Sequence, residues 1–141
     1  QVRNVTATFN PAPSPTFNLL SSNNIYATIL KGKEGNSTIT NVWVDPLNGF
    51  DSDVALTVLP AIPLGGSPAL PVSSIFNLSR TKISAPYTDE AEFYVNIGAP
   101  GLPNSGTYRY EIPIQGKSGS ITKTTNIFLN LIIKKPGWEE I

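Results

Sequence analysis

The chain has 141 residues, 10 basic and 10 acidic side chains, and no cysteine, histidine or methionine. These counts exclude a disulfide framework, thiolate or imidazole catalysis, and a basic nucleic-acid footprint. Only 14% of residues are charged, well below the usual quarter, and polarity comes instead from 13 each of Ser, Thr and Asn. Hydroxyls and amides respond little to pH, which suits a secreted protein in a harsh medium. The numbering begins at Gln1 rather than a methionine, so either a leader was removed or the chain is a fragment; a cleaved secretory leader is the expectation. No 18-residue apolar run remains to span a membrane.

In chain order, Gln1–Phe9 alternates as a strand does, with Arg3, Val5, Ala7 and Phe9 on one face and Val2, Asn4, Thr6 and Thr8 on the other. A spacer, Asn10–Thr16, follows with three prolines. Extended at about 3 Å per residue, it spans roughly 20 Å and is too stiff for a hairpin. Next comes Phe17–Leu20, a candidate short strand. Period-two alternation then marks strands at Ile25–Lys31, Ser37–Asp45, Asp53–Leu59, Val72–Phe76, Ala91–Ile97, Thr107–Gln115 and Ser120–Lys134. Turn chemistry separates them at "GKEG", "NGF", "PGLPNSG" and "GKSG". Trp43, in phase with Ile39, is expected in the core.

Two positions strain the simple pattern. In the last strand, Ile127, Leu129, Leu131 and Ile133 form one face, but Phe128 and Ile132 make the other apolar too. Such a strand expects cover on both sides. Pro113 cannot donate to a ladder and so predicts an edge or a bulge. The tail Pro136–Ile141 carries Trp138, a candidate docking contact.

About seven strands, Pro and Gly punctuation and no helical stripe predict an all-β fold, an antiparallel β-sandwich of immunoglobulin size. The stretches "DPLNGFDSDVALTVLP", "NSGTYRYEIPIQG" and "TTNIFLNLII" resemble the immunoglobulin-like repeats of archaeal and bacterial surface proteins. The resemblance covers roughly Ile25 to Lys134. It implies structural modules, adhesins or filament subunits rather than enzymes. The domain reading is an N-terminal donor strand at 1–9, a linker at 10–16, the sandwich at 17–135 and a tail at 136–141.

Gln1–Phe9 is surplus to a sandwich that is complete by Lys134. An extended segment of this kind can pair with an exposed sheet edge of the next subunit. A head-to-tail contact then grows an open filament. Arg3, Val5, Ala7 and Phe9 would face the acceptor, and the doubly apolar last strand is the candidate acceptor. In this respect the chain resembles donor-strand-linked pili, in particular the archaeal surface filaments called threads. The alternatives are pairing with an edge of its own domain, and disorder.

Three Asn-x-Ser/Thr sequons, at Asn4, Asn36 and Asn77, are candidate N-glycosylation sites. Their number is about what chance gives for this composition, so placement carries more weight. Asn36 lies beside a turn, and Asn4 lies opposite the apolar side of the donor segment. The carboxylates Asp89, Glu90 and Glu92 read as a solvated face. Asp45, Asn48, Asp51 and Asp53 read as a turn rather than a calcium loop.

The expectation is therefore a non-enzymatic, glycosylated subunit of an extracellular surface filament that supports adhesion. It has no cofactor or metal, its partners are identical copies and N-linked glycans, and it engages no nucleic acid and has no membrane span. The alternative is an accessory or carbohydrate-binding module of a larger secreted protein.

Overall fold

The computed structural model describes residues 13–135. They form eleven strand segments and no helix: Thr16–Ser21 (β1), Asn24–Leu30 (β2), Gly35–Asn36 (β3), Thr40–Leu47 (β4), Val54–Val58 (β5), Ile62–Leu64 (β6), Ile75–Leu78 (β7), Lys82–Ile83 (β8), Ala91–Ile97 (β9), Gly106–Ser118 (β10) and Ile121–Lys134 (β11). One sheet runs β1-β4-β9, with β3 and β7 also paired to β9. The other runs β2-β11-β10-β5-β8, with β6 paired to β10. Every pairing is antiparallel except β2 with β11.

Several segments are pieces of one broken strand. β3 and β4 both pair with β9, and β5 and β6 both pair with β10. β1 and β2 are one N-terminal strand that changes sheet at Ser22–Asn23. Counting each broken strand once leaves seven strands and the two-residue β8. The expected all-β sandwich is what the chain forms.

Alternation places the core. Ala91, Phe93, Val95 and Ile97 of β9 are fully buried, as are Ile127, Leu129 and Leu131 of β11 and Tyr110, Ile112 and Ile114 of β10. Burying a side chain of this size contributes about 1.5–3 kcal/mol, so these rows dominate the hydrophobic gain. The six residues that carry the chain from β4 to β5 in the other sheet open with a turn, Asn48 at φ 56° and Gly49 at φ 79°. Asparagine and glycine are the residues that take positive φ at least cost. The Phe50 N–H closes it on the Leu47 carbonyl at 3.2 Å.

Trp43 departs from its expected place. The buried positions of β4 are Thr40, Val42 and Val44, while Ile39 is 57% exposed and Trp43 is half-buried on the outer face. The cause is a break at Ser37–Ile39. Buried Ser37 stays with β9, its N–H donating to the Val95 carbonyl at 2.8 Å and its Oγ accepting the Val95 N–H at 2.9 Å. Thr38 turns to β2, donating its N–H to the Tyr26 carbonyl at 2.8 Å. Pulled toward both sheets, the chain slips its inward phase by one residue, which exchanges the faces.

Val72 also differs. It lies fully exposed in a turn closed by the Ser74 N–H on the Pro71 carbonyl at 2.9 Å, and the strand begins only at Ile75. Pro113 behaves as its chemistry requires. It faces the break between β5 and β6, where the Leu59 N–H donates to the Pro113 carbonyl at 2.9 Å and no return donor is needed.

Candidate functional site

The geometry that bears on function lies where the chain changes sheet. Asn23, at φ 67°, makes the corner; asparagine tolerates this left-handed region better than other residues with a Cβ. Its Nδ2 donates to the Asn126 carbonyl at 2.9 Å and to Ser21 Oγ at 3.3 Å. Ser21 Oγ and Thr125 Oγ1, both buried, are hydrogen-bonded at 2.8 Å. The Asn23 carbonyl accepts the Phe128 N–H at 2.6 Å. Three short polar side chains, Ser21, Asn23 and Thr125, thus pin β1, β2 and β11 at one point.

Above this pin β11 is paired on both sides, by β10 throughout and by β2 over Phe128–Lys134. Below it, Ile121–Ile127 pairs with β10 alone. The open side can be read from parity. The Phe128 N–H and the Lys134 carbonyl bond toward β2, so even-numbered residues of β11 face that side. The N–H and C=O of Thr122 and Thr124, and the N–H of Asn126, therefore point outward without partners among the described residues. β1 packs against β11 but ladders only with β4. The Ser22 N–H donates to the Asn41 carbonyl at 3.2 Å, so Phe17 and Leu19 direct their backbone groups away from β4. The result is a cleft between two bare edges, one in each sheet.

The floor of this cleft is well packed. A Cβ on Gly116 would lie 3.1 Å from Leu19 Cδ2 and 3.4 Å from Phe17 Cε2, so a hydrogen at that position of β10 lets β1 approach. Phe17 is fully buried against Phe50, with ring centroids 5.0 Å apart, and Phe50 stacks on Tyr87 at 5.9 Å. The Tyr87 hydroxyl donates to the Ser52 carbonyl at 2.7 Å. Desolvation first, and then the charges of Asp51 and Asp53, push its pKa up. Half-buried Lys123 sits on the inner side of the bare β11 edge, the kind of charge that discourages unselective edge pairing.

The expected acceptor was the whole doubly apolar last strand, and only its first half is open. The outer face of the second half is partly covered by the Arg109 guanidinium, 4.5 Å from the Phe128 ring centroid. Ile132 stays 42% exposed, and Tyr26 on β2, the register partner of Asn130, 57%. Arg3, Asn4, Val5, Ala7 and Phe9, and Trp138, lie outside the described residues.

Asn36 and Asn77 lie on strands that flank β9 on opposite sides, with register partners Asn96 and Tyr94. Both therefore belong to the outward face of that sheet, together with Glu92, Tyr94 and Asn96. Asn36 Oδ1 accepts from Asn96 Nδ2 at 2.7 Å.

The carboxylates and turn residues are engaged separately. Asp53 is taken up by Lys82 at 3.6 Å and Asp89 by Arg80 at 3.4 Å, both exposed pairs. Asn48 Nδ2 holds the Ser14 carbonyl at 3.2 Å. Among the described residues no group of three or more carboxylates is placed to hold a metal, and no helix is long and apolar enough to cross a membrane. Sequence reasoning missed Asn23, Ser21 and Thr125 entirely. The one available signal was "SSNN", a polar run between two alternating stretches.

No family model matches the chain, and no curated protein matches it. Solved structures do. The CooA pilin subunit of enterotoxigenic Escherichia coli matches at 13% identity and TM-score 0.51, over 85% of this chain and 98% of the pilin. The periplasmic chaperone SfaE matches at 9% identity and TM-score 0.57, over 83% of this chain and 57% of the chaperone. A family 123 glycoside hydrolase from Clostridium perfringens matches at 12% identity and TM-score 0.51, over 87% of this chain and only 28% of the hydrolase. The chain thus spans about a quarter to a little over half of these last two proteins. At such identities the likeness is one of fold, and the fold is the immunoglobulin-like β-sandwich of pilin subunits and periplasmic chaperones.

Proposed function

We propose that the chain is a structural, non-enzymatic subunit of an extracellular surface filament, joined head to tail by strand donation. The observation that carries this reading is the bare first half of β11 beside the bare edge of β1. Ile121–Asn126 offers six residues of unpaired edge, about 20 Å at 3.3 Å per residue. Gln1–Phe9 supplies nine residues of alternating sequence, long enough to cover it.

In this reading Arg3, Val5, Ala7 and Phe9 face the cleft, and Asn10–Pro15 bridges to the next copy. Donation to a neighbour is favoured over pairing at home by the three prolines at positions 11, 13 and 15, which stiffen the stretch that would have to fold back. Backbone hydrogen bonds supply affinity and the alternate side chains supply register. The pilin-type fold supports the reading as far as fold can. N-glycans at Asn4, Asn36 and Asn77, and a role in adhesion, belong to the same proposal.

Electron microscopy of the full chain beside one lacking Gln1–Phe9 tests it. Thin filaments that vanish on truncation are the expected result. Monomers in both samples would overturn donation in favour of pairing at home. A second reading, an accessory module of a larger secreted protein, draws on the match to part of a glycoside hydrolase and on exposed Tyr26 beside Asn24 and Asn130. It requires ligand binding that survives the truncation.

A further inference from the structure

The two sequons within the described residues share a feature that bears on when they could be modified. The acceptor rule requires a hydroxyl two residues after the asparagine, so a transferase must reach both groups together. In the Asn36 sequon, Thr38 Oγ1 accepts the Tyr26 N–H at 3.0 Å and the Thr38 N–H donates to the Tyr26 carbonyl at 2.8 Å. The residue between, Ser37, is buried and bonded to Val95 through both its N–H and its Oγ. This sequon is stitched between the two sheets. In the Asn77 sequon, Ser79 Oγ accepts the Glu92 N–H at 2.7 Å, and the Ser79 N–H donates to the Glu92 carbonyl at 2.9 Å. Asn77 and Leu78 are laddered to Tyr94 and Phe93.

We propose that Asn36 and Asn77 are glycosylated on the unfolded chain, so that modification precedes folding and filament growth. This rests on the glycoprotein reading above. The reacting step joins the asparagine Nδ2 to the anomeric carbon of a lipid-phosphate-linked glycan. The carbon–oxygen bond to the phosphate breaks, the lipid phosphate leaves, and the amide nitrogen gives up one proton to a base of the transferase. Nothing is oxidised or reduced. Folding then returns Thr38 to β2 and Ser79 to β9, while both sugars project from the outward face of the β9 sheet. That face is clear of the β11 edge, which lies in the other sheet, so the glycans and a donated strand do not compete.

The test uses full-length unglycosylated chain and a transferase-containing membrane fraction charged with lipid-linked glycan. The chain is supplied either folded or freshly diluted from urea. A peptide covering Glu34–Asn41 and a Ser118→Asn variant serve as controls; the variant writes a sequon into the turn between β10 and β11. Peptide mapping should show Asn36 and Asn77 modified in the diluted chain, and the short peptide modified as well. The folded chain should react at least about tenfold more slowly at Asn36 and Asn77, while the folded variant reacts at its turn site. Equal rates on folded and unfolded chain would overturn the ordering while leaving the glycoprotein reading intact. A bare Asn36 and Asn77 in protein from its own cells, with an unreactive peptide, would overturn both.

Discussion

Replacing Asn23 separates two contributions to the sheet-switch corner. Asn23→Ala removes the bond to the Asn126 carbonyl and the longer one to Ser21 Oγ, together worth about 1–1.5 kcal/mol net. It also places a Cβ-bearing residue without local polar help at φ 67°, at a further cost of about 1 kcal/mol. The total is about 2–2.5 kcal/mol. Asn23→Gly loses the same hydrogen bonds but is at ease in the left-handed region, so it should lose only about 1–1.5 kcal/mol. Urea unfolding followed by circular dichroism reads both, and the slopes should match the parent because the surface exposed on unfolding is unchanged. Equal losses for Ala and Gly would refute the backbone part of the argument. A loss below about 0.5 kcal/mol in both would refute the corner as a pin.

Thr124→Pro deletes an N–H that faces the cleft rather than β10, so it should cost less than about 1 kcal/mol in stability while abolishing filaments under electron microscopy. Filaments of normal length would place the acceptor elsewhere. The Tyr110 hydroxyl is buried with no hydrogen-bond partner among the described residues; Tyr110→Phe should therefore stabilise by about 1 kcal/mol in urea unfolding, and a loss would show that the hydroxyl is hydrogen-bonded in solution. Tyr110 is raised above its ordinary 10.0 by burial and then by Tyr108, and Tyr87 by burial and then by Asp51 and Asp53. Raised phenols hold their protons more tightly in the folded state, so this contribution is intact below pH 10 and is lost as pH rises through the folded values. Tyr110→Phe should flatten the alkaline fall in melting temperature, and an unchanged fall would contradict it.

The sandwich was legible because period-two alternation is a local signal that burial enforces. The stretches of β9, β10 and β11 could be assigned from single residues such as Phe93 and Leu129. What failed locally were breaks in phase. Trp43 was misplaced because Ser37 and Thr38 bond to different sheets, and nothing in "NSTITN" announces two partners. The gap between Phe17–Leu20 and Ile25–Lys31 was visible in the alternation, but not that the two segments join different sheets. "SSNN" shows in the sequence only as a polar run, whereas the structure uses it to carry one strand from sheet to sheet. The candidate edge depended on this crossing. Sequence suggested that β11 wanted cover, but only the position of Asn23 determines which half of it β2 leaves open. Pro113 predicted an edge or a bulge; β10 is instead an interior strand, and the missing N–H is accommodated by the break between β5 and β6 opposite it.

Filament growth by strand donation requires that the first nine residues add to the open half of β11. Amide hydrogen exchange decides this on chain lacking Gln1–Phe9, with and without a peptide of the sequence Gln1–Asn10. Strand addition predicts protection of the Thr124 amide, with Thr122 and Asn126 following, by at least about tenfold, equivalent to roughly 1.4 kcal/mol. The peptide should have no effect on the Thr124→Pro variant. Protection confined to β7 or β8, or no protection anywhere, would contradict the account.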